Sequence, residues 1–290
     1  MRPIGLALAL LARAAVAAAA ETPAPAGFPD LAGPRALALS ASIGVAAGNE
    51  GIWVNPGAIA ARRRYSVETG GFVDRRGADT DARFYGGSVV DSLSSPVAGA
   101  VSYVRSDRGD YSGNAWNGVL AGAVAQGLYL GVGGKYLSMK GDPARNERNV
   151  SAATVDAGLL WQVAEYVSLG AAGYNLVSIA TPVVAPMGFG AGVGVGTDRS
   201  VQVTADWRAD LDRRQKTTNR WAVGAEVLLG ELVPVRAGWM KDETLGGSWW
   251  SVGAGLVTRS GVAIDFGYRQ STVDPSARTL AATLKLFLFQ

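Results

Sequence analysis

From Arg64 onward the chain repeats one pattern: apolar residues alternate with small or polar ones, and turn residues punctuate the alternation. Val201, Val203, Ala205 and Trp207 occupy one set of positions, and Gln202, Thr204, Asp206 and Arg208 the other. Val262, Ile264, Phe266 and Tyr268 oppose Ala263, Asp265, Gly267 and Arg269 in the same way. A period of two sorts such residues onto the two faces of a strand, whereas a helix would scatter them around its axis. The template matches about 14 segments of about ten residues. They centre near Glu68, Gly86, Ala100, Leu120, Gly133, Asp156, Ala171, Gly192, Ala205, Ala225, Arg236, Gly253, Asp265 and Leu284. Strands of 9–11 residues cross a bilayer when tilted, and strands in soluble proteins are usually nearer 5–6.

The connections alternate in length. Residues 74–80, 106–115, 140–149, 177–186, 210–219, 241–247 and 271–276 are longer, and polar except for the fourth, with shorter links between them. Long external loops alternating with short periplasmic turns are how bacterial outer-membrane barrels are built. The closing stretch Thr283-Leu284-Lys285-Leu286-Phe287-Leu288-Phe289-Gln290 resembles the terminal strand by which such barrels are recognised for assembly, although Gln290 follows the last aromatic. Alternation alone fits a soluble barrel with an apolar interior equally well. Strand length, loop alternation and the terminal strand favour the membrane version, in which lipid leaves no partner for a free sheet edge. The expected fold is all-β: a 14-stranded antiparallel transmembrane β-barrel with an N-terminal plug in its lumen.

Ahead of the barrel, Met1-Arg2, the apolar run to Ala12 and Ala18-Ala19-Ala20 read as a cleaved export signal, which Arg13 interrupts. The expected organisation is a signal over 1–20, an N-terminal extension and plug over 21–63, and a barrel over 64–290. No later apolar run is long enough for a spanning helix.

Composition narrows the chemistry. The chain has no cysteine and no histidine, which removes disulfides, thiol nucleophiles, Cys or His metal sites and histidine general bases. No enzyme, metal or cofactor is expected. Charged residues are 18%, against about 25% in soluble domains. The 39 glycines among 290 residues are nearly twice the usual share of about 7%. The net charge of +3 owes two units to Arg2 and Arg13, so the remainder is close to neutral. Bases are spread among acids, and no nucleic-acid partner is expected.

One strand face collects charge of both signs: Glu68, Arg83, Lys135, Asp156, Asp206, Arg208, Glu226, Arg236, Asp265, Arg269 and Lys285. In a membrane barrel that face is the lumen, and the charges either line a selective path or pair across it. Glycines share it. Gly190, Gly192 and Gly194, within the run Gly188–Gly196, fit a place where another backbone approaches closely, here the plug. The text GFGAGVGVG lacks the following helix that a dinucleotide loop needs. Trp116, Trp161, Trp207, Trp221, Trp239, Trp249 and Trp250, with Tyr103, Tyr136, Tyr174 and Tyr268, read as an interfacial girdle. Arg108-Gly109-Asp110 reads as an external turn.

Residues 30–63 break the alternation. Asn55-Pro56-Gly57 is a turn, and Pro56 suits the start of a short helix over 57–61. Gly44–Glu50 and Trp53–Ala60 resemble the N-terminal plug of the long-chain fatty-acid transporter (FadL/OMPP1/TodX) superfamily of outer-membrane barrels. That superfamily includes the PorV/PorQ-type secretion shuttle barrels. Gly57 and Ile59 replace the Ala and Leu of that pattern. The resemblance implies a plugged 14-stranded barrel that moves hydrophobic molecules through a lateral gap. The loops here are too short for a helical hairpin that cradles a fatty acid, and the apolar 177–186 loop is the one greasy candidate. Two functions follow: passage of small apolar solutes across the bacterial outer membrane, or a scaffold or docking subunit of a secretion or motility machine. The expected partners are outer-membrane lipid and the barrel-assembly machinery, with either a small apolar ligand or envelope-complex proteins.

Overall fold

The computed structural model describes residues 32–75, 81–108, 111–145, 147–182, 184–211 and 216–288. The export signal, the first part of the extension, Gly109-Asp110 and Phe289-Gln290 lie outside these residues. Fourteen strands follow one another: β1 Tyr65–Arg75, β2 Asp81–Asp91, β3 Val97–Asp107, β4 Tyr111–Ala125, β5 Leu128–Gly141, β6 Val150–Ala164, β7 Val167–Tyr174, β8 Gly188–Gly196, β9 Val201–Asp210, β10 Thr218–Leu229, β11 Val233–Asp242, β12 Gly247–Val257, β13 Val262–Ser271 and β14 Arg278–Leu288. Each pairs antiparallel with its sequence neighbours, and β1 pairs with β14 from Tyr65↔Leu288 to Arg75↔Arg278. The sheet is therefore a closed barrel with no free edge.

The alternation places polar residues inside and apolar residues outside. On β13, Ile264 and Phe266 are 41% and 58% exposed, while Asp265 and Arg269 are buried. On β9, Val201 and Val203 are exposed, and Gln202 and Thr204 are buried. This is the inverse of a soluble barrel, and it decides between the two readings that periodicity left open.

Two expectations about the elements change. Residues 106–115 are mostly strand, not loop: β3 reaches Asp107, β4 starts at Tyr111, and Asp107 faces Ser112. Small and polar residues here still alternate and pair. β4 and β6 run 15 residues each, with register shifts at Ala123/Ala125 and Gln162/Ala164, so they extend beyond their neighbours at one rim. That rim, where β1 begins and β14 ends, is called the lower rim below.

Residues 32–61 lie against the inner face of the wall. They form helix α1 (Pro34–Leu39), helix α2 (Gly51–Val54) and two 3₁₀ turns, Gly48–Glu50 and Pro56–Ala60. Pro34 opens α1, where a missing N–H costs nothing. Ser40 closes it in the left-handed conformation at φ 57°. Almost every residue of the segment is buried. At the opposite rim the 175–187 loop turns inward, and Ile179, Val184 and Ala185 join Ile52, Trp53 and Val54 in one apolar cluster. Val177, in the same loop, stands well exposed.

Glycines on the wall make room for α1. A Cβ at Gly224 would lie 2.2 Å from the Leu39 carbonyl oxygen, and one at Gly238 would lie 2.5 Å from the Leu39 carbonyl. Gly224 and Gly238 face each other across β10 and β11. Gly238→Val is expected to displace α1 while the strand ladder persists. Hydrogen exchange should rise at 34–39 with little change in β10–β13, and unchanged exchange at 34–39 would disprove this seating role.

Candidate functional site

The lumen is built around the N-terminal segment. Arg35 on α1 is its electrostatic centre. Its guanidinium donates to Glu226 on β10 (3.0 Å), to Gln202 on β9 (3.0 Å), to the Val45 carbonyl (3.2 Å) and to Glu50. Burial alone would lower the Arg35 pKa, but the charges of Glu226 and Glu50 overcome it and hold the group well above its ordinary value. Arg236 on β11 also donates to Glu226, and to Asp265 on β13 at 2.6 Å. One connected network thus runs from the segment through β10 and β11 to β13.

A second set of bonds captures the segment's backbone. Asp206 accepts from the Ser42 and Ile43 amides at 2.5 and 2.7 Å. Ser168 donates to the Gly44 carbonyl at 2.6 Å. Asn117 donates to the Ile52 carbonyl at 3.0 Å, and Tyr174 to the Val54 carbonyl at 2.7 Å. The Asn55 amide donates to the carbonyls of Ile43 (3.0 Å) and Leu159 (2.8 Å), and its oxygen accepts from the Gly57 amide at 3.2 Å. These bonds meet the demand that buried backbone groups find partners.

The Asn55-Pro56-Gly57 turn sits tight against β5 and β6. A Cβ at Gly57 would lie 2.9 Å from the carbonyl oxygens of both Gly158 and Tyr129. Glycine at this position, where the resembling pattern has alanine, therefore fits the space. Gly131 and Gly158 are equally crowded by Pro56 and Asn55. On β8, a Cβ at Gly190 would meet the Ile43 side chain (2.5 Å), at Gly192 the Gly44 amide nitrogen (2.7 Å), and at Gly194 the Val45 side chain (2.2 Å).

The predicted charges are distributed as follows. Lys135 pairs with Asp156 at 2.8 Å and donates to Asn175 at 3.0 Å. Glu68 pairs with Lys285 at 3.0 Å. Arg208 pairs with Asp210 at 2.7 Å and lies 4.6 Å over the Tyr174 ring. Arg269 contacts Thr279 at 3.5 Å and lies 5.6 Å over Trp249. Arg83 departs from the prediction. It is exposed on the outer face of β2, between buried Ala82 and Phe84, because the inward set on that strand begins one residue away. The aromatic girdle also loses two members. Trp249 and Tyr174 are buried inside, while Trp116, Trp161, Trp221, Trp239 and Trp250 are exposed outside. The sequence reading missed Arg35 as the hub, although a lone base in a small-residue segment marks a charge that needs a partner.

Two small cavities lie beside the N-terminal segment among the described residues. One cavity of about 50 Å³ is bounded by Trp53, Phe72, Phe84 and Tyr85 and by Gly70, Gly86 and Gly87 of β1 and β2. Another of about 50 Å³ lies beside Asp206 and Tyr174. A bowl of about 1330 Å³ opens at the lower rim. Among the described residues no cluster of carboxylates could hold a metal.

Arg35→Met should leave Glu226 and Glu50 buried without their common partner, costing about 3–5 kcal/mol. Denaturant titration in detergent micelles would show this, and Arg35→Met combined with Glu226→Gln should recover part of the loss. A variant as stable as the parent would show that the hub contributes nothing.

No protein-family model matches the chain, and no curated protein matches it. Among solved structures, the toluene transporter TbuX of Ralstonia pickettii aligns with a TM-score of 0.63 and 12% identity, covering 90% of this chain and 97% of that one. A FadL homologue of Pseudomonas aeruginosa aligns at 0.60 and 14% identity, covering 88% and 97%. The Pseudomonas putida toluene transporter TodX aligns at 0.57 and 12% identity, covering 88% and 96%. At these identities what the likeness establishes is the fold: this chain is a closed 14-stranded barrel that superposes on these transporters.

Proposed function

We propose that this protein spans the bacterial outer membrane as a plugged barrel and passes small apolar solutes through its side wall. The observation that carries the reading is the cavity between β1, β2 and the segment 32–61. It reaches from Trp53 and Asn49 inside to Thr69 and Tyr85 on the outer face. At its centre Gly70 faces Gly86 across the strand pair, so the wall there is backbone without side chains. Four aromatic rings border it, a lining suited to an apolar guest. The outward apolar face supports the membrane location, since an exposed surface of this kind is stable only against lipid. The lower rim then faces the periplasm, and the turns there are the short ones.

Passage along the axis would require breaking the Arg35 network. Passage through the wall requires β1 and β2 to part along a ladder that is otherwise continuous from Tyr65↔Asp91 to Arg75↔Asp81, and at Gly70 and Gly86 no side-chain packing adds to that cost. An apolar solute also gains by entering lipid instead of periplasmic water, at about 25 cal/mol per Å² of apolar surface. The names of the similar structures, toluene transporters and a monoaromatic hydrocarbon channel, agree with a solute of this class.

A second reading is a non-transporting scaffold in an envelope machine. It is favoured by the inward-turned 175–187 loop, whose Ile179, Val184 and Ala185 pack with Ile52, Trp53 and Val54 of the segment. Toluene uptake into liposomes separates the two. The parent protein should accelerate uptake, and Gly87→Trp should reduce it at least about fivefold, a barrier change of about 1 kcal/mol, while the barrel stays folded. Deleting 32–61 should open an axial path and give ion conductance in planar bilayers. Absence of toluene uptake with parent protein and deletion variant alike would leave the scaffold.

A further inference from the structure

The bowl at the lower rim contains a guanidinium, that of Arg64, two of whose nitrogens have no hydrogen-bond partner among the described residues. Arg62, Arg63 and Arg64 are consecutive, join the N-terminal segment to β1, and line the bowl together with Arg199 from the β8–β9 turn. Two of the four have assigned partners: Arg62 pairs with Asp198, and Arg63 donates to the Leu93 carbonyl at 2.6 Å. Arg199 is exposed.

Arg64 differs from the rest. Its guanidinium is slotted between the Gly48 backbone and the Phe287 ring, 5.9 Å from the ring centroid. Gly48 adopts φ +61°, and a Cβ there would come 2.9 Å from the Arg64 Cζ. The slot therefore depends on a residue without a side chain. Within it, Nε and Nη2 are sealed from solvent and have no hydrogen-bond partner. Nη1 is not among the sealed atoms, which leaves that edge towards the bowl. Burial first, and then the neighbouring Arg62 charge, pull the Arg64 pKa down to about 10, so it remains a cation at neutral pH. A buried guanidinium is stabilised by a nearby anion, and here an anion in the bowl would meet the open Nη1 edge and offset the charge that the sealed nitrogens cannot otherwise balance. Asp198 is already engaged by Arg62, and Glu165, the other acid lining the bowl, makes no hydrogen bond to Arg64. Glu50 acts on Arg64 through its charge, but its Oε1 is taken by Arg35 and the Ala47 amide, and it makes no hydrogen bond to Arg64.

We propose that the lower-rim bowl is an oxyanion site, in which Arg64, assisted by Arg63 and Arg199, binds a phosphate or carboxylate group. The chemistry is that of guanidinium forks recognising planar or tetrahedral oxyanions. Two sources share it: a free anion in solution, or the head group of an anionic lipid whose tails lie along the outer wall. The bowl admits the second, because outward-facing Trp161 and Val163 line it beside the arginines. The site does not depend on what the barrel passes, and its test is independent of solute uptake.

The test is the thermal unfolding midpoint of the full-length protein in neutral detergent. The additions are inorganic phosphate, phosphatidylglycerol, diacylglycerol, and chloride at matched ionic strength. Phosphate should raise the midpoint if the source is a free anion. Phosphatidylglycerol alone should raise it if the source is a head group. Diacylglycerol and chloride should do neither. Arg64→Gln should abolish the response, yet leave the midpoint in anion-free buffer no lower than the parent's, since it removes a buried charge that has no hydrogen-bond acceptor among the described residues. Should that variant fail to fold, Arg63→Gln with Arg199→Gln at the exposed rim should weaken affinity about tenfold, the size of one charge-assisted hydrogen bond. A midpoint that ignores phosphate and phosphatidylglycerol, or responds equally to chloride, would overturn the site. So would an unaltered affinity in the rim variant.

Discussion

The contact between Arg35 and Glu226 is the one on which the interior depends. A barrel with an apolar exterior must turn its polar residues inward, and those residues then need partners within a narrow, water-poor lumen. Arg35 supplies one of them from the N-terminal segment, and it is shared with Glu50 of the same segment and Gln202 of the wall. Arg236 and Asp265 extend the arrangement across the strands. Removing any one member leaves a buried charge behind, which is more costly than never having had the pair. The segment is therefore part of the barrel's charge balance as well as a filling for its volume.

Close approach of backbones is the second constraint, and it explains the glycines that face the segment. Wherever residues 38–45 or 55–57 touch the wall, the wall residue is repeatedly glycine: Gly170 and Gly192 against Ile43 and Gly44, Gly224 and Gly238 against Leu39, Gly131 and Gly158 against Pro56 and Asn55. The relation is reciprocal, since Gly44 and Gly57 in the segment have no space for a Cβ either. These glycines lie on the inner face, where a side chain would collide with the segment, while most residues outside carry the bulk that meets lipid.

Much of this was legible in the sequence because strand period is local. Each of the fourteen predicted centres, from Glu68 to Leu284, falls inside its strand, since alternation needs only a few neighbours to register. Residues near strand ends were harder to read. A charge in a barrel reads as inward, but at the end of β2 the inner set is Ala82 and Phe84, and Arg83 lies outside. Residue type places Trp249 and Tyr174 in the girdle, yet each is buried on an inward position and lies against an arginine. Arg35 could not be ranked from sequence at all. Its importance comes from Glu226, 191 positions away, and from a tertiary approach that no local pattern encodes.

The distribution of anchoring within the barrel has a mechanical consequence. Around β8–β13 the segment is fixed by Asp206, Glu226, Ser251 and a row of glycines in contact with its backbone. Towards β1 and β2 it is held by Asn49, through Ser88 at 2.8 Å and Ser66 at 2.6 Å, neutral bonds of lower individual strength. The lighter anchoring therefore falls on the β1–β2 side, where the aromatic-lined cavity and the paired glycines lie. On the proposed reading of the barrel as a conduit for apolar solutes, that asymmetry would favour a sideways path over an axial one, since the axial path runs through the Arg35 network and the sideways path does not.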